Sequence, residues 1–542
     1  MNSELQVLDI GVISLYFLAV FSIALFFYFR RNKSNNGQSE DYFLGGKNLA
    51  WWAIGASLFA SNIGSEHLIG LAGAGAKGDF PAAQFEILAS LILLLLGWVF
   101  VPFYMKSGVY TMPEFLEKRY NSWARSYLTW VSIVAYVITK ISVTIAAGGI
   151  VFTALLGIDF WTGAILIVLI TGVYTILGGL KVVVYTDFLQ MLVLLGGSIA
   201  ITLYGLGELG GWGELVSKTE SSYLSLWRSA DDTSFPWTGV LLGAPILGVW
   251  YWCTDQFIVQ RVLSAKNIDE GRKGTIFGAF LKLLPLFLFV IPGVIAFVLS
   301  NGPDAKIHFP MENGVINYDA ALPILTMQLL PAGLKGLVIA GLLAALMSSL
   351  SSVFNSCSTL ITMDLYKKWR PQTDDKALVR FGQKSTAFLV LLGLAWIPLM
   401  NLIEGGLFQK LQSIQAYISP PIAAVFLVVI FNKKITSKAA KYALLTGAFV
   451  GTARLILELI KENLSGFLYD FAQINFLHFA FLLFLICVAI LFLFSTKKEA
   501  VGKELSEITY SKGHFIWKEN FTNLILSALV ILGVISLWIV FV

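Results

Sequence analysis

The sequence predicts an all-α polytopic membrane protein with fourteen transmembrane helices. Three observations carry that prediction. The 542 residues are 57% hydrophobic and only 13% charged, with a mean hydropathy of +0.76. A soluble chain of this length needs far more charge to cover its surface. Apolar runs of about twenty residues, the length that crosses a bilayer as a helix, recur from end to end. The basic residues alternate from one connection to the next, as orientation signals do.

The first run lies within MNSELQVLDIGVISLYFLAV. It lacks a basic region before it, exceeds a signal-peptide core and ends at RRNKS, so it reads as a retained span at 8–29. The next spans are expected at 51–75, 81–105, 125–155, 160–178, 183–206 and 237–257. The last seven are expected at 274–300, 333–357, 384–404, 407–431, 437–459, 473–495 and 520–541. The longest connections fall near 206–236 and 301–332. Loops after odd-numbered spans hold 28 of the 38 basic residues, including Arg261, Lys266, Arg272 and Lys273 after span 7. Other loops and span ends hold eight, while Lys140 and Lys282 lie within spans. The asymmetry supports the count and places both termini outside the cytoplasm, in the plasma (inner) membrane.

Several function classes fall away. The net charge of +5 is explained by these loops and calls for no nucleic acid. Cys253, Cys357 and Cys487 are odd in number and far apart, with no CxxC spacing, which argues against a disulfide framework or a zinc site. No nucleophile–base pair or phosphate-binding loop points to an enzyme.

Polar residues inside spans are expensive and usually functional. In ASLFASNIGSEHLIGLAG the second span is interrupted by Asn62, Gly64, Ser65, Glu66 and His67. In LLGAPILGVWYWCTDQF the seventh is interrupted by Gly243, Pro245, Gly248 and Asp255. These spans lie five apart, and two repeats of an odd number of spans enter the membrane in opposite directions. Interrupted spans at matching positions of inverted halves point to a transporter's midplane site. The bland alternative is two kinked packing helices. Glu86 could reach headgroup water, His67 could be a satisfied core histidine, and Lys282 could snorkel to the cytoplasmic face. Together a carboxylate, a lysine, an imidazole and amides suit a polyhydroxylated neutral solute. Tyr251 and Trp252 could stack on a sugar's apolar face.

Residues 344–356, AALMSSLSSVFNS, place Ser348, Ser351 and Ser352 on one helical stripe with Ser349 beside it. Hydroxyls of this kind let membrane helices pack closely. With backbone carbonyls and a carboxylate they also make a hard-cation site, and Asp187 in KVVVYTDFLQM is the candidate carboxylate. Ser356 reads as a packing residue.

The stretches EDYFLGGKNLAWWAIGASLFASNIGSEHLIGLAG, WYWCTDQFIVQR, LMSSLSSVFNS and SIQAYISPPIAAVFL resemble the sodium:solute symporters, and most of all their sodium/glucose cotransporter branch. The resemblance runs from about residue 8 to 542. It implies a LeuT-type 5+5 inverted-repeat core working by alternating access. Residues 1–50 would hold the leading helix and a cytoplasmic loop, 51–206 the first repeat, and 207–236 an extracellular loop. The second repeat would occupy 237–431, and three trailing helices 432–542. Carried over by position, Ala60, Ile63, Ala345, Ser348 and Ser349 would hold a first sodium ion. Asp187, Ser351 and Ser352, with Ser348, would hold a second. Asn62, His67, Glu86, Tyr251, Trp252, Lys282 and Gln415 would bind the sugar, with Tyr251 as its inner gate. The chain departs from the branch at Gly248, where characterised sugar transporters are polar, and at Ile87, where tryptophan is usual.

The resemblance thus implies a symporter that couples inward sodium flow, two ions per solute, to uptake of a hexose such as glucose or galactose. Its partners are the sugar, sodium and the bilayer, and a monomer suffices. The alternatives are myo-inositol or sialate as solute, with Glu86 arguing against an acid, or a non-transporting sugar sensor. A sensor needs an output domain, for which 496–519 is too small.

Overall fold

A computed structural model describes residues 5–33, 39–301, 305–312, 314–396, 407–495 and 520–542. The far end of the span expected at 384–404 and the segment 496–519 lie outside the described residues. The architecture is helical; among the described residues, one two-stranded sheet in the long second connection pairs Met311–Glu312 antiparallel with Val315–Ile316. Among the described residues, eleven helices are long and apolar enough to cross a membrane.

One of the eleven, Phe160–Leu209, runs for 50 residues where the sequence predicts two spans. An unbroken helix of that length would be about 75 Å long, more than twice the hydrocarbon thickness. It is not unbroken: Gly179 adopts φ 61, ψ −161 inside it. That left-handed φ suits glycine, and a Cβ there would stand 2.5 Å from the Tyr42 carbonyl oxygen.

Two further apolar stretches fall outside the eleven because each is broken. Trp51–Asn62 ends where Ile63 turns to φ −79, ψ 89, and Ser65–Lys77 starts after Gly64 at φ −86, ψ 174. Gly64 is required by space: a Cβ would sit 2.2 Å from Glu66 Oε2. The second broken stretch begins with Trp237–Leu242 and Ala244–Gly248 and continues through a π-helical turn, Val249–Thr254. Asp255 is then extended and caps the next helix, Gln256–Leu263, by accepting from the Phe257 amide at 3.1 Å.

This helix corrects the expected boundary at 257. Arg261, assigned to a loop by its position in the sequence, is completely buried within the molecule. Arg272 is also buried, and its Nη1 donates to Asn520 Oδ1 at 2.7 Å. Both arginines therefore sit among packed helices and not in a solvent-facing loop.

Burial sorts the helices into core and periphery. In the Leu334–Trp369 stretch, which carries the serines, 94% of the most apolar window is buried. The values are 17% for Val7–Phe29, 28% for Ser437–Leu459 and 22% for Phe521–Val540. The serine helix, Leu334–Leu360, packs along Phe160–Leu209, and Trp51–Asn62 lies against both and against Ile268–Leu281. Ala, Gly and Ser at these contacts let the backbones approach closely.

Candidate functional site

The two breaks face one cavity. It is lined by Asn62 and His67 from the first broken helix, Glu86 and Ile92 from the next, and Gly248, Tyr251 and Trp252 from the second broken helix. Lys140, Gln412 and Gln415 complete its polar wall. The cavity measures about 40 Å³, room for a few waters. Pockets for whole organic ligands usually exceed about 300 Å³. The lining groups therefore stand closed on one another, and a larger solute requires the surrounding helices to part.

The polar groups are tied to each other. Lys282 is fully buried and does not snorkel; its Nζ donates to both Asn62 Oδ1 and Glu86 Oε2. It lies just behind the cavity, with Nζ 5.2 Å from the Trp252 ring centre. Its helix, Ile268–Leu281, ends at this point, so the ammonium emerges at a break in a third span. Glu86 is correspondingly buried, not interfacial. Tyr251 is held by Lys140, whose Nζ donates to the phenol oxygen at 3.0 Å and lies 4.2 Å from the ring centre. Glu66 sits behind His67, with Oε1 3.5 Å from Nδ1, and Oε2 accepts from Thr144 Oγ1 at 3.3 Å. Six of the seven residues expected to meet the sugar line one cavity, and Lys282 braces two of them.

Gly248 has a local explanation. A Cβ there would meet Ile92 Cγ1 at 3.1 Å, so Ile92 fills the space a polar side chain would need.

The serines of Leu334–Leu360 meet the other side of Trp51–Asn62. Ser348 Oγ donates to Ala60 O at 2.8 Å and to Ala345 O at 3.0 Å. Ser349 Oγ donates to Ser61 O at 3.2 Å. The break keeps Ile63 O out of the helical ladder, because the amide of His67, four residues on, bonds Gly64 O instead. Carbonyls and hydroxyls from two helices thus converge, the donor set that suits a hard monovalent cation.

One turn further along lies a second cluster. Asp187 Oδ2 accepts from Ser57 Oγ and, at 3.0 Å, from Ser61 Oγ. Ser61 Oγ is 2.9 Å from Ser352 Oγ. Arg261 enters this cluster from the second broken helix. Its Nη2 donates to Ser352 Oγ and stands 3.8 Å from Asp187 Oδ2, and its Nε donates to Ser57 Oγ at 3.0 Å. Ser351 Oγ turns back to Ser348 O at 3.0 Å, within its own helix. Ser356, expected only to pack, donates to Gln260 Oε1 at 3.2 Å.

The sodium:solute symporter family profile matches residues 42–447. The chain belongs to the sodium:solute symporter family. It is a sodium-coupled solute symporter and a multi-pass membrane protein, not an enzyme. Among its relatives, sodium/glucose cotransporter 1 of Ovis aries is 39% identical over 519 residues, which cover 89% of this chain and 77% of the relative. The sodium/myo-inositol cotransporter of Homo sapiens is 38% identical over 565 residues, covering 96% and 78%. A Na+-coupled sialic acid symporter, solved in a substrate-bound outward-open state, shares the fold. Its TM-score is 0.77 at 22% identity, covering 91% of this chain and 98% of that one.

Several residues of the candidate site were not singled out by pattern. Lys140 was visible as a charge within a span, and the expense of such a charge was the signal to follow. Ser57 and Ser61 are four residues apart on one helix face, a spacing readable in ASLFASN. Arg261 carried no signal of its own, because its partners Ser57, Ser352 and Asp187 lie on distant helices.

Proposed function

We propose that this symporter couples two sodium ions to the inward transport of a neutral hexose such as glucose or galactose. The observation that carries this is the convergence of Asn62, His67, Glu86, Tyr251, Trp252 and Gln415 on one cavity at two helix breaks. Amides, an imidazole and a carboxylate supply donors and acceptors for several hydroxyls, and the adjacent aromatic pair offers a face for the ring. Lys282 offsets the Glu86 charge and fixes Asn62, so the carboxylate faces the solute as a paired acceptor, and Lys140 adds a donor to the wall. Myo-inositol is the second reading: the human inositol relative is nearly as similar as the sheep glucose relative and aligns with more of this chain.

The first ion takes Ala60, Ile63, Ala345, Ser348 and Ser349. The second takes Asp187, Ser351 and Ser352, with Ser348, and Ser61 adds a hydroxyl between Asp187 and Ser352. Arg261 acts there as a resident cation. At 3.8 Å its attraction to Asp187 is about 4 kcal/mol at an effective dielectric near 20. A sodium ion at similar range offers a similar attraction, so ion and guanidinium exchange without leaving the carboxylate bare.

Among the described residues, the eleven apolar helices, the two broken stretches and a division of Phe160–Leu209 at Gly179 support a reading of fourteen spans. Residues 51–206 and 237–431 then form the inverted repeats, and both termini lie outside the cytoplasm of a plasma (inner) membrane. A monomer contains the whole site. The test is labelled uptake into proteoliposomes for glucose, galactose, fructose, mannose, myo-inositol and sialate. Uptake of a hexose is expected only with an inward sodium gradient. Equal uptake in potassium sinks the coupling, and preference for inositol replaces the hexose.

A further inference from the structure

We propose that sodium leaves the second-ion cluster along a buried polar seam between the Gln256–Leu263 helix and the serine helix, emptying into a cavity lined by Tyr110, Glu117, Arg125 and Lys368. This inference rests on the two-ion reading above and adds the path by which the ion departs.

The seam begins at Ser352, beside Asp187, and continues through Asn355, Thr359 and Thr362. Their spacings of three, four and three residues keep them on one helix face. All four are buried. The facing helix answers with polar groups of its own. Arg261 Nη2 reaches Ser352, Gln260 Oε1 accepts from Ser356 at 3.2 Å, and Gln260 Nε2 donates to Thr359 Oγ1 at 2.8 Å. At the start of that helix Gln256 accepts from the Met112 amide at 2.8 Å and donates to Tyr110 O at 3.2 Å. Tyr110 lines the terminal cavity, which measures about 350 Å³. From Ser352 to Asp364 the seam follows ~18 Å of helix, enough to run from near the middle of a bilayer to its boundary.

A continuous polar face is not needed to hold two membrane helices together; a few hydroxyls and small residues suffice. The pairing along this seam is also incomplete. Asp187 Oδ1, Asp255 Oδ2, Asn355 Nδ2, Thr362 Oγ1 and Asp364 Oδ2 are buried with no hydrogen-bond partner among the described residues. They are five of the thirteen such side-chain atoms among those residues. Buried polar atoms are normally paired; the four unpaired oxygens suit a transient cation or its waters, while Asn355 Nδ2, a donor, serves only the waters. Three of the five are carboxylate oxygens, the strongest ligands available to sodium here.

The lower end has a receiving group. Asp364 lies on a π-helical turn, Ile361–Tyr366, that continues the serine helix. Its Oδ1 accepts from Thr111 Oγ1 at 2.8 Å and Arg125 Nε at 2.7 Å, leaving Oδ2 for the ion. Glu117, beside it in the cavity, is bridged by Arg125 and by Lys368 at 3.4 Å. Arg125 and Lys368 balance the acids, so the ion meets a carboxylate but no deep trap.

The experiment separates ion release from solute binding. Net sodium-driven uptake requires sodium to leave at each turnover. Exchange of labelled for unlabelled sugar, with saturating sodium on both sides, does not. Asn355→Leu and Thr359→Val are expected to slow net uptake about fivefold or more, the rate equivalent of roughly 1 kcal/mol. They should leave exchange at the wild-type rate, and Thr359→Ser should restore net uptake. Exchange at the wild-type rate also reports that the variants fold. A parallel fall of both fluxes, or no change in net uptake, overturns the path. Loss of sodium dependence in the unmodified protein would instead remove the two-ion reading itself.

Discussion

Asp187→Asn tests the second ion most directly. The substitution keeps the shape and removes the charge that Ser57, Ser61 and Arg261 surround. A sodium ion crossing about 100 mV gains roughly 2.3 kcal/mol, and a tenfold concentration gradient adds about 1.4 kcal/mol. One ion therefore supports about 500-fold accumulation of a neutral solute and two ions about 10⁵-fold. The assay is the membrane potential at which solute flux vanishes, measured in proteoliposomes as the solute gradient is varied. Two coupled ions shift that potential by about 30 mV per decade of solute gradient, and one ion by about 59 mV. The slope is an equilibrium quantity, so reduced turnover or yield does not change it. Removing the partner of a buried charge can destabilise by about 3–5 kcal/mol. Ser352→Ala is the milder companion, because it leaves the Asp187–Arg261 pair in place. Either variant, if it still transports, should move from the shallow slope to the steep one. An unchanged slope in a transporting variant, or a steep slope in the unmodified protein, would refute the assignment.

Gln415→Ala should weaken sugar binding while sodium binding is retained, measured by titrating each ligand separately; loss of both marks a misfolded protein. Lys140→Met and Tyr251→Phe should be strongly non-additive in apparent sugar affinity, with a coupling of about 1.5–3 kcal/mol for a charged hydrogen bond. An additive pair would separate Lys140 from the gate. Gly248→Ser should lower hexose uptake because its Cβ meets Ile92 at 3.1 Å. Adding Ile92→Val should recover part of the loss, and a double variant no better than the single would point away from this contact. Lys282→Met should lower thermal stability by about 3–5 kcal/mol through the uncompensated Glu86 carboxylate. Replacing both residues, as Lys282→Met with Glu86→Leu, should restore stability but not transport.

Much of this symporter was legible in its order of residues because a bilayer imposes strict local rules. Helix existence follows from apolar length, and the two breaks follow from Gly64, Pro245 and a cluster of polar residues where none is cheap. The serine stripe follows from helical spacing, whereas its contact with the first broken helix, at Ala60 O and Ser61 O, is decided by packing. What the order of residues could not decide is which polar groups pair across helices. Lys282 could equally have snorkelled; only the convergence of three helix breaks turns it onto Asn62 and Glu86. Arg261 looked like a loop charge, yet the restart of the helix after Asp255 carries it to Asp187 and Ser352. Local pattern reports the cost of placing a charge in the membrane, whereas the partner that offsets it comes from a distant segment and exists only once the helices have packed.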